Sequence, residues 1–571
     1  MTLVRDALLH AFAARRVELI FGNPGSTEVP LLDGLAGGRL PRYVLVLHEG
    51  IAAAAADGYA QMGDRPGVVS VHATPGVANI VGGLFLAQAH RSPVVVIAGQ
   101  QDSRLLERRP FLASDLAGLV GQYTKLAVQP DRAEDVIPTV ARAFDVALSR
   151  PRGPVLVAVP RDFYEAEVAD RQTGYEAASP AVLSARPLTH AEAGPVADAT
   201  VILRAAARPV LLSGNAVGAA GASAIAAVVE LAELLAARVY SEHNATNMHF
   251  PASHRLYLGG NAHGTASVAR WLEGADVVVA VGCDLFMEEH FEAAGIIPPS
   301  AAVIQIDEDP REIGRVTRVD VGLAGDLAAL TRQLAGSLRS TGDDEFRARV
   351  AARADEIGAD RRALDAARRI REGASTSGPP ITMPRLYATL RDALPVDAIM
   401  VDEAVTMASY LHEHFPLDVP GTLLSSKQSW LGWGVGAAIG VQLAQPGRRV
   451  VAVLGDGSAA YAAQGLWTAA QLALPIVFVV LNNGGYIAVQ NHLRQYGQEA
   501  ARVRAYVGTD LAGIDFVDWA GAYGVVGRRV VEPKEMAEAF EWALRQEAPV
   551  LLEMMIDPDD AGLGRAPIPR P

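Results

Sequence analysis

The chain has 571 residues, half of them hydrophobic, with a formal net charge of −14 and one cysteine. Such a length suits three or four domains with large cores. The acidic balance argues against a nucleic-acid surface, and a single cysteine, Cys283, excludes an intrachain disulfide framework and cysteine-ligated metal sites.

The N-terminus, MTLVRDALLHAF, carries Asp6 early and reads as an amphipathic helix rather than a signal peptide. No run of roughly 18 apolar residues appears, so no membrane span is expected, and a cytoplasmic protein is the default. Residues 1–165 alternate short apolar runs with turns and helical stretches. Val17–Phe21 leads into Gly22-Asn23-Pro24-Gly25-Ser26-Thr27-Glu28 and a helix from Val29. Tyr43–Leu47 ends at His48-Glu49-Gly50, before an Ala-rich helix over Ile51–Met62. Gly67–Val71 ends at His72, followed by a Gly/Pro turn and a helix from about Val77; Pro93–Ala98 is a further strand. Strand, polar turn and helix in repetition predict a doubly wound parallel sheet. Ser26, Glu49 and His72 each follow a strand, on the edge where such sheets bind ligands.

Residues 165–190 lack periodicity and read as a linker. Residues 190–340 form a second α/β unit, with buried strands at Pro209–Ser213, Val277–Gly282 and Ala302–Asp307 and a helix over Ala219–Ala236. Its loop Ser241–Gly264 holds His243, His249, His254 and His263 without ligand-like spacing, so no metal site is expected there. Glu288, Glu289 and His290 form a polar group past the Val277 strand. Residues 340–378 are charged and read as an exposed helix with a flexible connector. A third unit spans residues 380–560. Its first strand, Ala398–Val401, leads to Asp402-Glu403 and Thr406, and Ser429–Gly440 is a small-residue stretch suited to close approach of a ligand. The Pro/Arg-rich tail, Gly562–Pro571, is expected to be disordered.

The most informative segment is Arg449–Tyr486. A buried strand, Val450–Leu454, stops at Gly455-Asp456-Gly457-Ser458; a helix over Ala459–Leu474 follows; a second strand, Ile476–Leu481, ends at Asn482-Asn483-Gly484-Gly485. A helix N-terminus favours phosphate, yet the Asp456 carboxylate would repel it unless a cation lay between them. Mg2+ takes oxygen ligands of this kind, shared with phosphate oxygens: the Asp456 carboxylate, the Asn483 amide oxygen and the Gly485 carbonyl. The glycines allow close backbone approach.

These residues resemble the thiamine diphosphate (ThDP)-dependent 2-oxo acid decarboxylase family, and within it the benzoylformate decarboxylases. The likeness rests on NPGSTE, ANIVGGL, SPVVVIAGQQ, GPVLVAVPRD, AAIGVQLAQP, GDGSAAY, LWTAAQ and NNGGY. It implies an α/β chain of three doubly wound domains: pyrimidine-binding, central and diphosphate-binding. It also implies a homodimer at minimum and a homotetramer built from dimers, with the cofactor between one subunit's first domain and another's third. By the same resemblance, Asp456, Asn483 and Gly485 are the ligands of Mg2+, for which Ca2+ can substitute. Gly457, Ser458, Tyr461, Thr406 and Tyr486 contact the cofactor, Leu431 is the wedge that keeps it bent, and Glu49 is the activating carboxylate. Ser26, His72 and His290 serve the substrate carboxylate and proton transfer, although Glu289 takes the place of His290 in an ungapped match. Val489 and His492 stand where the family has Leu and Phe, Trp430 replaces a glycine, and Val405 replaces a hydroxyl residue. The implied reaction is non-oxidative decarboxylation of a benzoylformate-like 2-oxo acid to an aldehyde, with carboligation to 2-hydroxy ketones. The alternative is a carboligase like acetolactate synthase, or an acyl-CoA lyase, with a structural FAD; the decarboxylase reading itself expects no FAD.

Overall fold

The computed structural model describes all residues except 37, 39–40, 64, 170–188, 261–264, 287–294, 375–377, 559, 561 and 563–571. His263, Glu288, Glu289 and His290, most of the expected linker and nearly all of the tail therefore lie outside the described residues.

Three six-stranded sheets, every one parallel, form the frame. The first comprises β1 (Leu19–Asn23), β2 (Arg42–Leu45), β3 (Gly67–His72), β4 (Val94–Gln100), β5 (Leu126–Val128) and β6 (Val155–Pro160), in the order β2-β1-β3-β4-β6-β5. The second comprises β7 (Pro209–Ser213), β8 (Arg238–Ser241), β9 (Tyr257–Gly259), β10 (Val277–Val281), β11 (Ala302–Asp307) and β12 (Val321–Ala324), in the order β9-β8-β7-β10-β11-β12. The third comprises β13 (Ile399–Glu403), β14 (Leu423–Ser425), β15 (Val450–Gly455), β16 (Ile476–Asn482), β17 (Val526–Val530) and β18 (Val550–Met555), in the order β14-β13-β15-β16-β18-β17. The first and third sheets thus share one strand order, and the central sheet has the doubly wound nucleotide-binding order. Val-rich strands such as β4 and β16 are buried along their whole length, as strands covered on both faces must be.

The first and third domains meet along two helices, α1 (Glu49–Gln61) and α2 (Trp433–Ala444). Both are buried nearly all round and built from Ala, Gly and a few larger residues. Their backbones approach so closely that a Cβ on Gly436 would crowd Ala54 and the Ile51 carbonyl, and one on Gly440 would overlap the Ala55 carbonyl. The helices start at the same end, since Gly50 lies against Trp430 while Gly440 lies against Ala55 and Tyr59. A buried polar cluster locks the seam. Trp433 Nε1 and His90 Nδ1 each lie 2.8 Å from Asp57 Oδ2, and the Lys427 amide donates to His90 Nε2 at 3.1 Å.

Several boundaries differ from the sequence expectation. The helix expected from Val77 begins at Ala73, because Pro75 falls in its first turn, where the missing N–H costs nothing. The helix expected over Ala219–Ala236 is two, Asn215–Ala220 and Ala222–Leu235, separated by Gly221 at φ +91°. That expected over Ala459–Leu474 is also two, Asp456–Tyr461 and Gly465–Gln471; between them the chain turns so that Gly465 presses on Val435 and Ile51. The charged helix Asp344–Ala374 is 31 residues long and is not simply exposed. Arg353, buried, donates to the Ala206 and Leu235 carbonyls at 2.7 and 2.6 Å, and Arg361 donates to the Ala252 and Tyr257 carbonyls. These bonds satisfy backbone acceptors of the central domain. Among the described residues no helix is long and apolar enough to cross a membrane.

Candidate functional site

Helices α1 and α2 each follow a strand of their own sheet, so each begins at its sheet's carboxyl edge. On the third-domain side, β15 ends at Gly455 and the chain enters a short helix at Asp456. Asp456 is buried, and burial raises its pKa against four backbone donors. Its Oδ1 accepts from Gly457 N at 2.7 Å, and its Oδ2 accepts from Asn483, Gly484 and Gly485 N at 3.2, 2.9 and 3.1 Å. The carboxylate therefore ties the end of β15 to the turn after β16. Asn483 Oδ1 accepts from Gly485 N at 3.1 Å. The Tyr486 ring covers Gly457 so closely that any side chain there would overlap it. Oxygens of Asp456 and Asn483 thus meet at the Gly485 N–H beside a helix start, while the Gly485 carbonyl accepts from Ile487 N at 2.9 Å. That donor set fits a magnesium-bridged diphosphate, although no group of three His, Cys, Asp or Glu forms among the described residues.

Two further segments close on this motif. Thr406 is buried just past β13, next to Val405 at φ +43°. Glu403, at the end of β13, is fully enclosed; its carboxylate accepts from Gly432 N at 2.7 Å and Gly434 N at 2.6 Å, and its carbonyl accepts from Ser458 Oγ at 3.1 Å. Burial pushes its pKa up to about 8 against those donors. Leu431 lies between Trp430 and Gly432, and Gly432, at φ +91°, packs against Tyr461. Tyr461 itself is 61% exposed.

On the first-domain side, α1 starts at Glu49, and the preceding His48 accepts from Gly50 N through Nδ1 at 3.0 Å. Glu49 is buried; Asn79 donates to its Oε2 at 2.9 Å and Asn23 to its Oε1 at 3.5 Å. His72 caps β3. Its Nδ1 lies 2.8 Å from Thr27 Oγ1 and 3.2 Å from Glu28 Oε2, and its ring packs flat against Gly25. Glu28 is buried, accepts from Gly25 N at 2.8 Å and from the Thr27 hydroxyl, and has its pKa raised by burial. Ser26, on the same turn, is exposed. The Trp430 indole joins the two halves, filling a slot lined by Gly50, Gly82 and Gly83.

Ser26, Glu49 and His72 therefore share one sheet edge, and Asp456, Gly457, Ser458, Asn483, Gly485 and Tyr486 form a second group, with Thr406, Leu431 and Tyr461 around it. His290 lies outside the described residues. Val489, on the helix Ile487–Tyr496, is 48% exposed. Sequence reasoning gave no role to Thr27, Glu28, Asn79 or Glu403. The first two stand in the NPGSTE segment and Asn79 in ANIVGGL, so position in a motif was their only signal.

Known proteins match nearly the full length of the chain. Three family models match: the N-terminal TPP binding domain of thiamine pyrophosphate enzymes over residues 2–119, their central domain over 196–334, and their C-terminal TPP binding domain over 404–554. A benzoylformate decarboxylase of Pseudomonas aeruginosa is 32% identical, covering 97% of this chain and 99% of that protein. The large subunit of acetolactate synthase isozyme 2 of Escherichia coli is 30% identical, with 96% and 95% covered. The solved structure of a thiamine diphosphate-dependent 4-hydroxybenzoylformate decarboxylase of Rhodococcus jostii superposes with a TM-score of 0.82 at 31% identity, covering 98% of this chain and all of that one.

Proposed function

Because this chain belongs to the thiamine pyrophosphate enzyme family, we propose that it is a magnesium-dependent decarboxylase of a benzoylformate-like 2-oxo acid. It releases an aldehyde and also joins aldehydes into 2-hydroxy ketones. Two observations carry this reading: an oxygen-donor motif past the third sheet's strands (Asp456, Asn483, Gly485), and a buried carboxyl past the first sheet's strands held by two amides (Glu49 with Asn23 and Asn79). Similarity to the two decarboxylases over nearly full length supports it.

In this reading Asp456, Asn483 and the Gly485 carbonyl hold Mg2+, with Ca2+ as a substitute. Gly457, Ser458, Thr406, Tyr461 and Tyr486 would hold the diphosphate, and Leu431 would be the apolar wedge against the coenzyme. Bound ThDP supplies the electron sink for the pair left behind when CO2 departs. Glu49 holds and exchanges a proton, its oxygens oriented by Asn79 and Asn23. The Ser26 hydroxyl orients the substrate carboxylate. His72 has its Nδ1 fixed by Thr27 and Glu28, which leaves Nε2 to move protons at the reacting centre. His290 is the proposed second proton-transfer residue, with Glu289 as its neighbour in the motif.

The functional unit is proposed to be a homotetramer of dimers in the cytoplasm, its three domains spanning residues 1–165, 190–340 and 380–560. The deciding experiment supplies ThDP and Mg2+ with a panel of aromatic and aliphatic 2-oxo acids and follows CO2 and acyloin together. CO2 release in step with aldehyde from an aromatic 2-oxo acid is expected. Acyloin without free aldehyde would replace the decarboxylase reading with a carboligase.

A further inference from the structure

Glu403 lies at the centre of the third-domain half of the site, with no role in the reading above. It is 2% exposed and ends β13. Its side chain reaches across to the loop before α2 and accepts from Gly432 N and Gly434 N, one oxygen to each. Its backbone carbonyl accepts from Ser458 Oγ. Thr406 follows three residues later. One residue therefore ties together the three segments that carry Ser458, Thr406 and Leu431.

The loop is also held by packing, with Gly432 against Ala462 and Tyr461. Gly432 stands at φ +91°, a left-handed conformation that glycine adopts without a Cβ clash, and its N–H is held by the Glu403 carboxylate. On the far side, Trp430 is seated in the first domain against Gly50, Gly82 and Gly83. Leu431 is thus suspended between an anchor in the first domain and an anchor in the third, and the latter is Glu403.

We propose that Glu403 is a positioning residue that fixes the height of Leu431 over the diphosphate motif and so sets the bend of the bound coenzyme. The proposal rests on Leu431 being the coenzyme wedge, and so on the ThDP reading. A glutamine there keeps the shape but turns one acceptor into a donor facing a backbone N–H, which loosens one of the two bonds. The coenzyme's diphosphate would still be held, because Asp456 and Asn483 are untouched.

The test, run at about pH 9 so that Glu403 of the parent is ionised, compares the full-length parent, Glu403→Gln and Glu403→Asp, each supplied with ThDP and Mg2+ and no substrate. Coenzyme affinity is measured by titration, and coenzyme geometry by the rate at which the thiazolium C2 proton exchanges with solvent deuterium. A Kd within about threefold of the parent is expected for Glu403→Gln. Its C2 exchange is expected to slow about tenfold to a hundredfold, as misplacement of reacting groups predicts. Glu403→Asp, which keeps both acceptors on a shorter arm, is expected to fall between, and carries the test if the glutamine variant does not accumulate. Exchange at the parental rate would overturn the proposal. So would affinity and exchange falling in equal proportion, since that marks general support of the site. A parent that itself fails to bind ThDP would bring down the underlying reading, which the variants alone cannot do.

Discussion

The His72 imidazole stands 3.2 Å from the carboxylate of Glu28, a residue that is 1% exposed. Removing one partner of a buried hydrogen-bonded pair leaves the other badly placed. Glu28→Gln should therefore lower kcat by about tenfold to a hundredfold while moving KM for the 2-oxo acid less. Steady-state kinetics across pH checks this: the pH profile should change shape as well as height. An unchanged profile would reduce Glu28 to a packing residue.

Glu49→Gln should still bind ThDP and Mg2+ but lose about a hundredfold to ten-thousandfold in turnover, the range expected for a proton-transfer group. Coenzyme titration beside CO2 release gives both quantities. Undiminished activity would refute the role.

Asp456→Asn removes the only carboxylate from the oxygen-donor group. Apparent affinity for ThDP at fixed Mg2+ should fall by about a hundredfold or more, since even outer-shell changes at metal sites cost about ten- to a hundredfold. Treatment with a chelator should silence the parent, and either Mg2+ or Ca2+ should restore it.

His249 and His412 form a buried pair between the central and third domains. Neither ring nitrogen of His249, nor Nε2 of His412, has a hydrogen-bond partner. Burial lowers their pKa values to about 3 and about 4; His412 adds to the effect on His249, and a backbone hydrogen bond with Ala245 opposes it on His412. Both are neutral in the folded chain, whereas the unfolded chain takes up their protons first as pH falls through about 6.5. The stability they allow is thus complete above that pH and is lost progressively between about 6.5 and 4, by up to about 1.4 kcal/mol per group per pH unit. Thermal melts from neutral to mildly acidic pH should show Tm falling. A double His→Leu variant should flatten that slope.

The central sheet should carry no flavin. At the ends of its middle strands the Glu242 carboxylate already accepts from Asn215 N and from Asp284 N. Asp284, Asp307 and Glu308 beside it are paired with Lys427 and Arg91 from the neighbouring domains. A pyrophosphate would meet carboxylates where it needs N–H groups. The purified protein should be colourless; visible flavin absorption would revive the FAD-bearing alternative.

The oxygen-donor part of the candidate site was readable in the sequence because its parts are local: Asp456 and Asn483 directly follow adjacent strands joined by one crossover. Glu49 was readable as a strand-end carboxyl, but its partners Asn23 and Asn79 come from different loops and meet only once β1, β2 and β3 align. Glu28 was hidden for the same reason, since its partner His72 is 44 positions away along the chain. The seam left no trace either. A helix such as α1, small-residued and buried nearly all round, has no periodic face to announce which neighbour it touches. Asp402 and Glu403 read as polar residues beyond a strand, whereas both are buried residues of β13, Glu403 being its last.

That seam has a practical consequence for engineering. Libraries aimed at new substrates would naturally target residues around the cleft, such as Trp430 and Val489. Yet Gly436 and Gly440 allow no added carbon where their helix meets its neighbour, so a single methyl there would wedge the domains carrying Glu49 and Asp456 apart. Such clones would be inactive although no group that handles the reaction had been altered, and a screen scored on activity alone would misread them as substrate-pocket failures.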